Sequence, residues 1–221
     1  MIKRILGLLI GLLLLTACQP KTYDYAFESG GFGGPGWPIW VEDLIINEAW
    51  QVPAGNMSGG PDDTDTNLPG SSIASVGHAP LPETIRARWF SYRTQTFYQA
   101  TLEIPADKRT QIRLWFKQYP RKKYIHNLVT GISGQGMIQA WWFVGCVGFG
   151  CPEKYESHYF ELTSEIKATK DKGDPNQYYN TTREHIREGT IPPEVLNLVP
   201  PLENPPKENP YVDILNIETT E

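Results

Sequence analysis

Residues 81–145 place the tightest limit on the fold, because they contain two pairs of strand patterns with a helix pattern between them. In the first strand, two sets of side chains alternate: Ile85, Ala87, Trp89 and Ser91 with Arg86, Arg88, Phe90 and Tyr92. After a break at Arg93 and Thr94, residues 95–103 continue the alternation. A period of two is typical of strands, so this segment predicts the first strand pair.

The second pair consists of residues 124–132 and 137–145, and a turn with two glycines joins them. This pattern predicts a β-hairpin. Between the two pairs, Pro105 and Asp107 suit the first turn of a helix and Pro120 ends it. Four apolar residues in between recur at helical spacing: Ile112, Trp115, Phe116 and Tyr119. We interpret this segment as a core helix that covers one face of the sheet.

The predicted fold class is therefore α+β: a mainly antiparallel sheet built from two strand pairs, with a covering helix between them and a C-terminal helix over residues 175–188. Glycine-rich residues 18–36 read as a flexible tether, residues 37–50 as the first strand, and residues 51–80 as a long loop. Residues 154–168 alternate loosely and predict another antiparallel strand. We expect one domain over residues 37–190 and a proline-rich tail over residues 191–221.

The N-terminus has the pattern of an export signal. Lys3 and Arg4 precede an apolar run that is too short to span a bilayer comfortably, and the sequence Leu-Thr-Ala-Cys ends at Cys18. This is the pattern of a bacterial lipobox, in which residues 1–17 are removed and the cysteine is acylated. The alternative is an ordinary secretory signal that happens to carry a cysteine.

An acylated Cys18 would supply more than one lipid chain, which is enough for stable membrane attachment. Gln19 follows the cysteine. Since aspartate at this place would favour retention in the inner membrane, we expect sorting to the outer membrane, facing the periplasm.

The mature chain is mildly acidic. Removal of residues 1–17 takes away Lys3 and Arg4, leaving 18 of the 20 basic residues against 25 acidic ones, a net charge of −7. An acidic chain without a basic cluster is a poor nucleic-acid binder. The 204 remaining residues are long enough for one sizeable core.

Two cysteines remain after Cys18. Cys146 and Cys151 lie in a glycine-rich loop of an exported chain, so we predict that they form a disulfide. The alternatives are two free thiols or a zinc site, for which His158 is the only further ligand close in sequence.

Neither catalytic nor metal-binding motifs emerge from the sequence. Residues 131–135 miss the G-x-S-x-G pattern at Gln135, and the four histidines are dispersed singly. The acidic segment around Asp63 lacks the glycine and glutamate that a calcium loop needs at its sixth and twelfth positions. We therefore expect a protein that is not an enzyme and holds neither a metal nor a cofactor.

Aromatic residues on the strands are the more informative feature. Alternation sends some of them to each face of a sheet, so one set is expected to pack the core while the other is available to a partner. The candidates for partner binding are Arg88, Tyr92, Trp142 and Phe149. The alternative is that all of these aromatic side chains belong to the core.

These residues together carry a resemblance to a known family. A lipobox, Trp89-x-Ser91, Phe97-Tyr98, a helix, and three glycines at positions 131, 134 and 136 precede a tryptophan-bearing strand at Trp141. This order resembles the bacterial lipoproteins with domain of unknown function 2931, over residues 37–162. The cysteine loop and the proline-rich tail depart from the family pattern.

The resemblance implies a periplasm-facing lipoprotein that acts as an immunity protein against a type VI secretion effector. Such effectors include lipases that attack membrane phospholipid. It brings no catalytic residues. The expected partners are the membrane, through the N-terminal lipid, and a secreted toxin. The alternative is a structural or envelope-maintenance lipoprotein without enzymatic activity.

Overall fold

The computed structural model describes residues 21–61, 68–70, 72–147, 151 and 157–200. Cys18, the acidic segment around Asp63, Phe149 and residues 201–221 lie outside this description. The described strands are β1 Thr22–Phe32, β2 Ile39–Ile46, β3 Trp50–Gln51, β4 Asn56–Met57, β5 Ser72–Pro80, β6 Thr84–Ser91, β7 Thr96–Glu103, β8 Tyr124–Ser133, β9 Met137–Cys146, β10 Ser157–Glu161, β11 Ile166–Lys167 and β12 Thr169–Asp171. The described helices are α1 Ala106–Gln118 and α2 Tyr179–Arg187, with 3-10 helices at Pro175–Tyr178 and Pro193–Leu198.

The strands form two sheets. The first has the order β10-β9-β8-β1-β5, with β11 also paired to β9, and the second has the order β12-β7-β6-β2-β3, with β4 also paired to β2. The protein is thus mostly β, with few helices. The two predicted strand pairs and the helix between them are present, but the pairs belong to different sheets. α1 connects the end of β7, in the second sheet, to the start of β8, in the first. The β8–β9 hairpin therefore pairs with β1 and β10 and not with β6 or β7.

β1 corrects the prediction of a flexible tether. Thr22–Phe32 is a strand inside the first sheet, where it pairs parallel to β8 and antiparallel to β5. Tyr25 and Phe27 are buried in the core. Glycine is found at the end of this strand because Gly31 lies against the carbonyl oxygen of Ser58, so close that a β-carbon would collide with it. A glycine run typical of linkers serves here for close backbone packing.

β5 corrects the prediction of a long loop over residues 51–80. Its serine, alanine and glycine residues lie at the edge of the first sheet and form no apolar alternation, so the sequence gives no strand signal. β3 and β4, with two residues each, are further short strands in the same span.

The main core lies between the two sheets. It contains Tyr25, Phe27, Leu128 and Trp142 from the first sheet and Trp89 from the second, among other residues. α1 packs on this core through its buried Ile112 and the half-buried Trp115 and Phe116. The prediction of a covering core helix is therefore confirmed.

A second, smaller apolar cluster lies on the other face of the second sheet. Phe90, Tyr92 and Phe97 from β6, β7 and their turn pack there with Ile191 and Val195. The predicted C-terminal helix is present as a 3-10 turn followed by α2, and it covers the same face. The folded body therefore extends beyond the predicted limits of residues 37–190, since β1 and Val195 are both part of it.

Candidate functional site

Two of the four residues predicted to bind a partner are fully buried. Trp142 and Tyr92 each have 0% of their surface exposed. Trp141, whose side chain lies on the opposite face of β9, is only 2% exposed. Neither face of β9 therefore offers a tryptophan to solvent at this point. The expectation that these two side chains are available to a partner is wrong, because Trp142 lies in the core between the two sheets and Tyr92 lies in the cluster under the C-terminal segment.

Arg88 is half-buried and fully engaged. Its guanidinium group forms ion pairs with Glu42 and Asp171, at 2.6 Å to the latter, and Nη2 donates to the carbonyl oxygen of Lys172 at 2.6 Å. It also lies over the ring of Phe97, 4.8 Å from the centroid. The hydrogen bond from Arg88 lowers the pKa of Asp171. Arg88 thus ties Asp171 and Lys172 to the second sheet. The fourth candidate, Phe149, lies outside the described residues.

Glu42 extends this connection to the C-terminal segment. Its carboxylate accepts hydrogen bonds from the Tyr178 hydroxyl at 2.6 Å and from Gln177 Nε2 at 3.1 Å. The Tyr178 ring stacks on Phe90 with a centroid distance of 4.7 Å. These contacts hold residues 175–198, here called the C-terminal cover, in place and leave no open binding surface at Arg88.

The predicted disulfide is present. Cys146 and Cys151 are bonded with an S–S distance of 2.11 Å and a Cα–Cα distance of 5.8 Å. Both thiols are consumed by this bond, so the alternative zinc site with His158 does not form. Among the described residues, no group of three histidine, cysteine, aspartate or glutamate side chains is arranged to hold a metal ion.

His126 is buried and has a structural place. Its Nε2 lies 2.7 Å from the carbonyl oxygen of Tyr119 and must donate, so Nδ1 is the acceptor for Trp142 Nε1 at 3.3 Å. The ring stacks on Phe116 at 4.0 Å. Burial lowers the pKa of His126. Both ring nitrogens are occupied, so His126 joins the end of α1 to the first sheet.

The outer face of the first sheet offers a different candidate site. Strand alternation sends Trp142 and Val144 into the core, so Phe143 between them points outward. The register aligns Phe143 with Asn127 on β8 and Tyr159 on β10, and aligns Asn127 with Ala26 on β1. These four residues form one row across four strands, here called the aromatic row: Ala26, Asn127, Phe143 and Tyr159.

The aromatic row belongs to neither apolar core cluster and is partly accessible. Tyr159 is 42% exposed, Phe143 and Ala26 are half-buried, and Asn127 is buried. A glycine makes room for Phe143, since its ring lies where a side chain of Gly145 would stand, 2.9 Å from that position. The row therefore combines large apolar rings with a buried amide.

The Asn127 amide is held in place by Glu28, which lies in the next row of residues on the same face of the sheet. Its Nδ2 donates to Glu28 Oε2 at 2.8 Å. Beyond Glu28, the segment Leu68–Gly70 covers the face. Pro69 and the Trp141 ring both lie directly against Gly131, on the same face of β8. The open part of the face thus begins at the Glu28–Asn127 pair and continues over Phe143 and Tyr159.

A groove of about 410 Å³ lies at another place, between the end of β7, the start of α1 and the segment after β10. Glu103, Lys108 and Glu161 line it together with hydroxyl and apolar side chains. Mixed charges around an open groove are common on solvated surfaces. No described helix is long and apolar enough to cross a membrane.

Sequence reasoning missed the aromatic row because its members come from four strands. Phe143 was visible as an aromatic residue next to two tryptophans, but its partners Asn127 and Tyr159 are aligned only by strand pairing. The one available signal is that Phe143 alternates with Trp142, but the prediction places Trp142, and not Phe143, on the accessible face.

The comparisons with known proteins identify one family. A family model described as "Protein of unknown function (DUF2931)" matches residues 14–195. The match covers most of the chain, including β1 and the C-terminal cover. Comparison with curated proteins and with solved structures gives no match. The chain therefore belongs to the DUF2931 family.

Proposed function

We propose that the protein is an exported lipoprotein, acylated at Cys18 and held in the outer membrane facing the periplasm, which binds and neutralises a type VI secretion effector. The lipobox supports export and acylation. The Cys146–Cys151 disulfide fits an oxidising compartment. The effector itself is a toxic protein that arrives in that compartment.

The observation that carries the binding part of the proposal is the aromatic row. An inhibitor without chemistry of its own must obtain its affinity from a few large side chains set in an interface. Tyr159 supplies an exposed ring and Phe143 a half-buried one on the outer face of the first sheet, and the Glu28–Asn127 pair supplies polar groups that are already oriented. Such a preorganised face costs little entropy on binding.

The position of this face suits an effector that attacks phospholipid. Cys18 precedes the first residue of β1, Thr22, by four residue steps, which span at most about 14 Å. The aromatic row crosses β1 at Ala26, four residues after Thr22, or about 13 Å further along the strand. A protein held this close to the bilayer would meet a lipase at its substrate surface.

Two experiments test the proposal. Cys18→Ala should yield a slowly processed or soluble periplasmic protein, because the lipid is the expected anchor, and unchanged membrane attachment of the mutant would count against acylation. Co-expression with the effector encoded beside the gene should protect cells, and a pull-down should recover the complex. Absence of both protection and binding, in a strain that makes both proteins, would favour the envelope-maintenance alternative.

A further inference from the structure

We infer that the end of the domain next to the anchor is a second contact with the membrane, a basic surface that docks on anionic phospholipid headgroups and fixes the orientation of the domain. The inference rests on the proposed acylation of Cys18. The surface, here called the anchor-end surface, consists of Lys21, Leu114, Lys117, Lys122, Lys123 and Val147.

Strand direction shows which end of the domain lies near the anchor. β1 and β8 run parallel, so Thr22 and Tyr124 begin at the same end of the first sheet. β9 runs antiparallel to β8, and its last residue, Cys146, aligns with Tyr124. The short link from Cys18 to Thr22 therefore brings this end, with the turn before β8, to the bilayer.

The C-terminal half of α1 lies at the same end. Phe116 contacts the Tyr23 ring at 5.0 Å, and Arg121 in the following turn pairs with Asp24 at 3.0 Å. The side chains that α1 turns away from the core include Leu114 and Lys117, both exposed. Both lie on the exposed surface of the half of α1 that packs against the start of β1 through Phe116.

The charge of this surface is complementary to an anionic bilayer. Lys21, Lys117, Lys122 and Lys123 are exposed, and no acidic side chain among the described residues forms an ion pair with them. Arg121 is excluded from the count because Asp24 neutralises it. Basic residues at a bilayer surface each add about a factor of five in binding, and the effect acts within a Debye length.

Exposed apolar side chains accompany these lysines. Leu114 is 56% exposed and Val147 is 41% exposed. The backbone N–H of Val147 donates to the carbonyl oxygen of Lys123 at 3.0 Å, which places this apolar side chain next to the basic turn. Apolar groups beside lysines are the composition with which proteins contact the headgroup region.

Helix chemistry explains only one of the lysines. Lys117 lies in the last turn of α1, where a cation interacts favourably with the helix dipole. That effect fades beyond the last turn, whereas Lys122 and Lys123 follow Pro120 and are exposed in the connecting turn. Their placement beside the anchor is what the proposed membrane contact requires.

The test uses the mature chain from residue 18 to 221 with Cys18→Ser, which carries no lipid. Binding to vesicles of phosphatidylethanolamine with phosphatidylglycerol is compared with binding to phosphatidylcholine vesicles. We expect binding to the anionic vesicles only, with loss in high salt. The triple variant Lys117→Glu, Lys122→Glu, Lys123→Glu should bind at least about tenfold more weakly.

The matched control is Lys167→Glu, Lys170→Glu, Lys172→Glu, which makes the same charge change. Lys167 pairs with Met137, at the opposite end of β9 from Cys146, and Lys170 pairs with Tyr98. This control should bind like the wild type. Equal loss in both triple variants, or no binding to anionic vesicles by the wild type, would overturn the inference.

The milder pair Lys122→Gln, Lys123→Gln decides the question if the triple variant fails to fold, which circular dichroism detects. The outcome is separable from the proposed function. A lipidated wild type that fractionates with membranes, combined with an unlipidated chain that ignores anionic vesicles, overturns the docking surface alone. An unmodified Cys18 overturns the acylation and leaves the vesicle result standing.

Discussion

Trp142 Nε1 donates a hydrogen bond to His126 Nδ1 at 3.3 Å, inside the core that the two sheets share. The bond requires a neutral imidazole, because a protonated ring has no acceptor. Since Nε2 donates to the Tyr119 carbonyl, this pair links β9, β8 and the end of α1. The same tryptophan was predicted to face a partner, and its place in this network explains why it does not.

The first prediction concerns pH. Burial lowers the pKa of His126 below the ordinary value of 6.5, so the folded state binds a proton less readily than the unfolded state. Stability should therefore fall as the pH drops below about 6.5 and level off below the folded pKa. Burial also lowers the pKa of His185, which adds to the loss in the same direction.

Chemical denaturation between pH 8 and pH 5, roughly the window of histidine titration, measures this dependence. His126→Gln should reduce the slope without abolishing it, because His185 remains. A wild-type stability that stays constant over this range would show that folding does not lower the pKa of His126, and would contradict the prediction.

The second prediction concerns Trp142. Trp142→Ala should destabilise the domain by about 3–5 kcal/mol, because it removes a fully buried ring and leaves a cavity. Leu114→Ala, at a position 56% exposed, should change the free energy of unfolding by less than about 0.5 kcal/mol. Urea denaturation compares them. A stable Trp142→Ala variant that lost only effector binding would restore the original assignment.

The third prediction concerns Arg88. Arg88→Ala should raise amide hydrogen exchange in residues 175–187 of the C-terminal cover by at least about tenfold. It removes the charged hydrogen bonds to Asp171 and Lys172, just before this segment, and the ion pair to Glu42, which bonds Gln177 and Tyr178. The neighbouring Arg86 pairs with Glu48 at a more exposed position, 3.0 Å apart. Arg86→Ala is therefore the control and should have little effect on that segment.

The fourth prediction concerns the disulfide. Replacing Cys146 and Cys151 by serine should cost about 2 kcal/mol, since the bond closes a loop of only five residue steps. Reduction of the wild type by dithiothreitol should lower the unfolding midpoint to that of the double variant. Mass spectrometry of protein from the periplasm should find no free thiol at either position.

The local patterns predicted well what nearby residues determine. The alternation in β6 to β9, the spacing of Ile112 and Phe116 in α1, and the loop between Cys146 and Cys151 all depend on a few neighbouring residues, and all were found. These elements account for the central part of both sheets and for the covering helix.

Long-range pairing decided the rest. Nothing in residues 22–32 indicates that Gly31 packs against Ser58, and nothing in residues 72–80 indicates that Ser72 and Ile73 pair with β1. Which face of a strand is covered also depends on distant segments, as with Tyr92 under Val195. The candidate site followed the same rule, because Tyr159 meets Phe143 through strand pairing alone.

The most direct test of the account is the affinity of the purified protein for the proposed partner, a type VI secretion effector sought beside its gene, compared with the affinity of the Tyr159→Glu variant. Leu198→Glu is the matched control, because Leu198 is also exposed, at 61%, but lies on the C-terminal cover. We predict that Tyr159→Glu weakens binding at least about tenfold, as expected for an aromatic anchor, and that Leu198→Glu leaves it unchanged. Equal binding by the wild type and Tyr159→Glu would contradict the assignment of the aromatic row, and no binding by the wild type would contradict the immunity function.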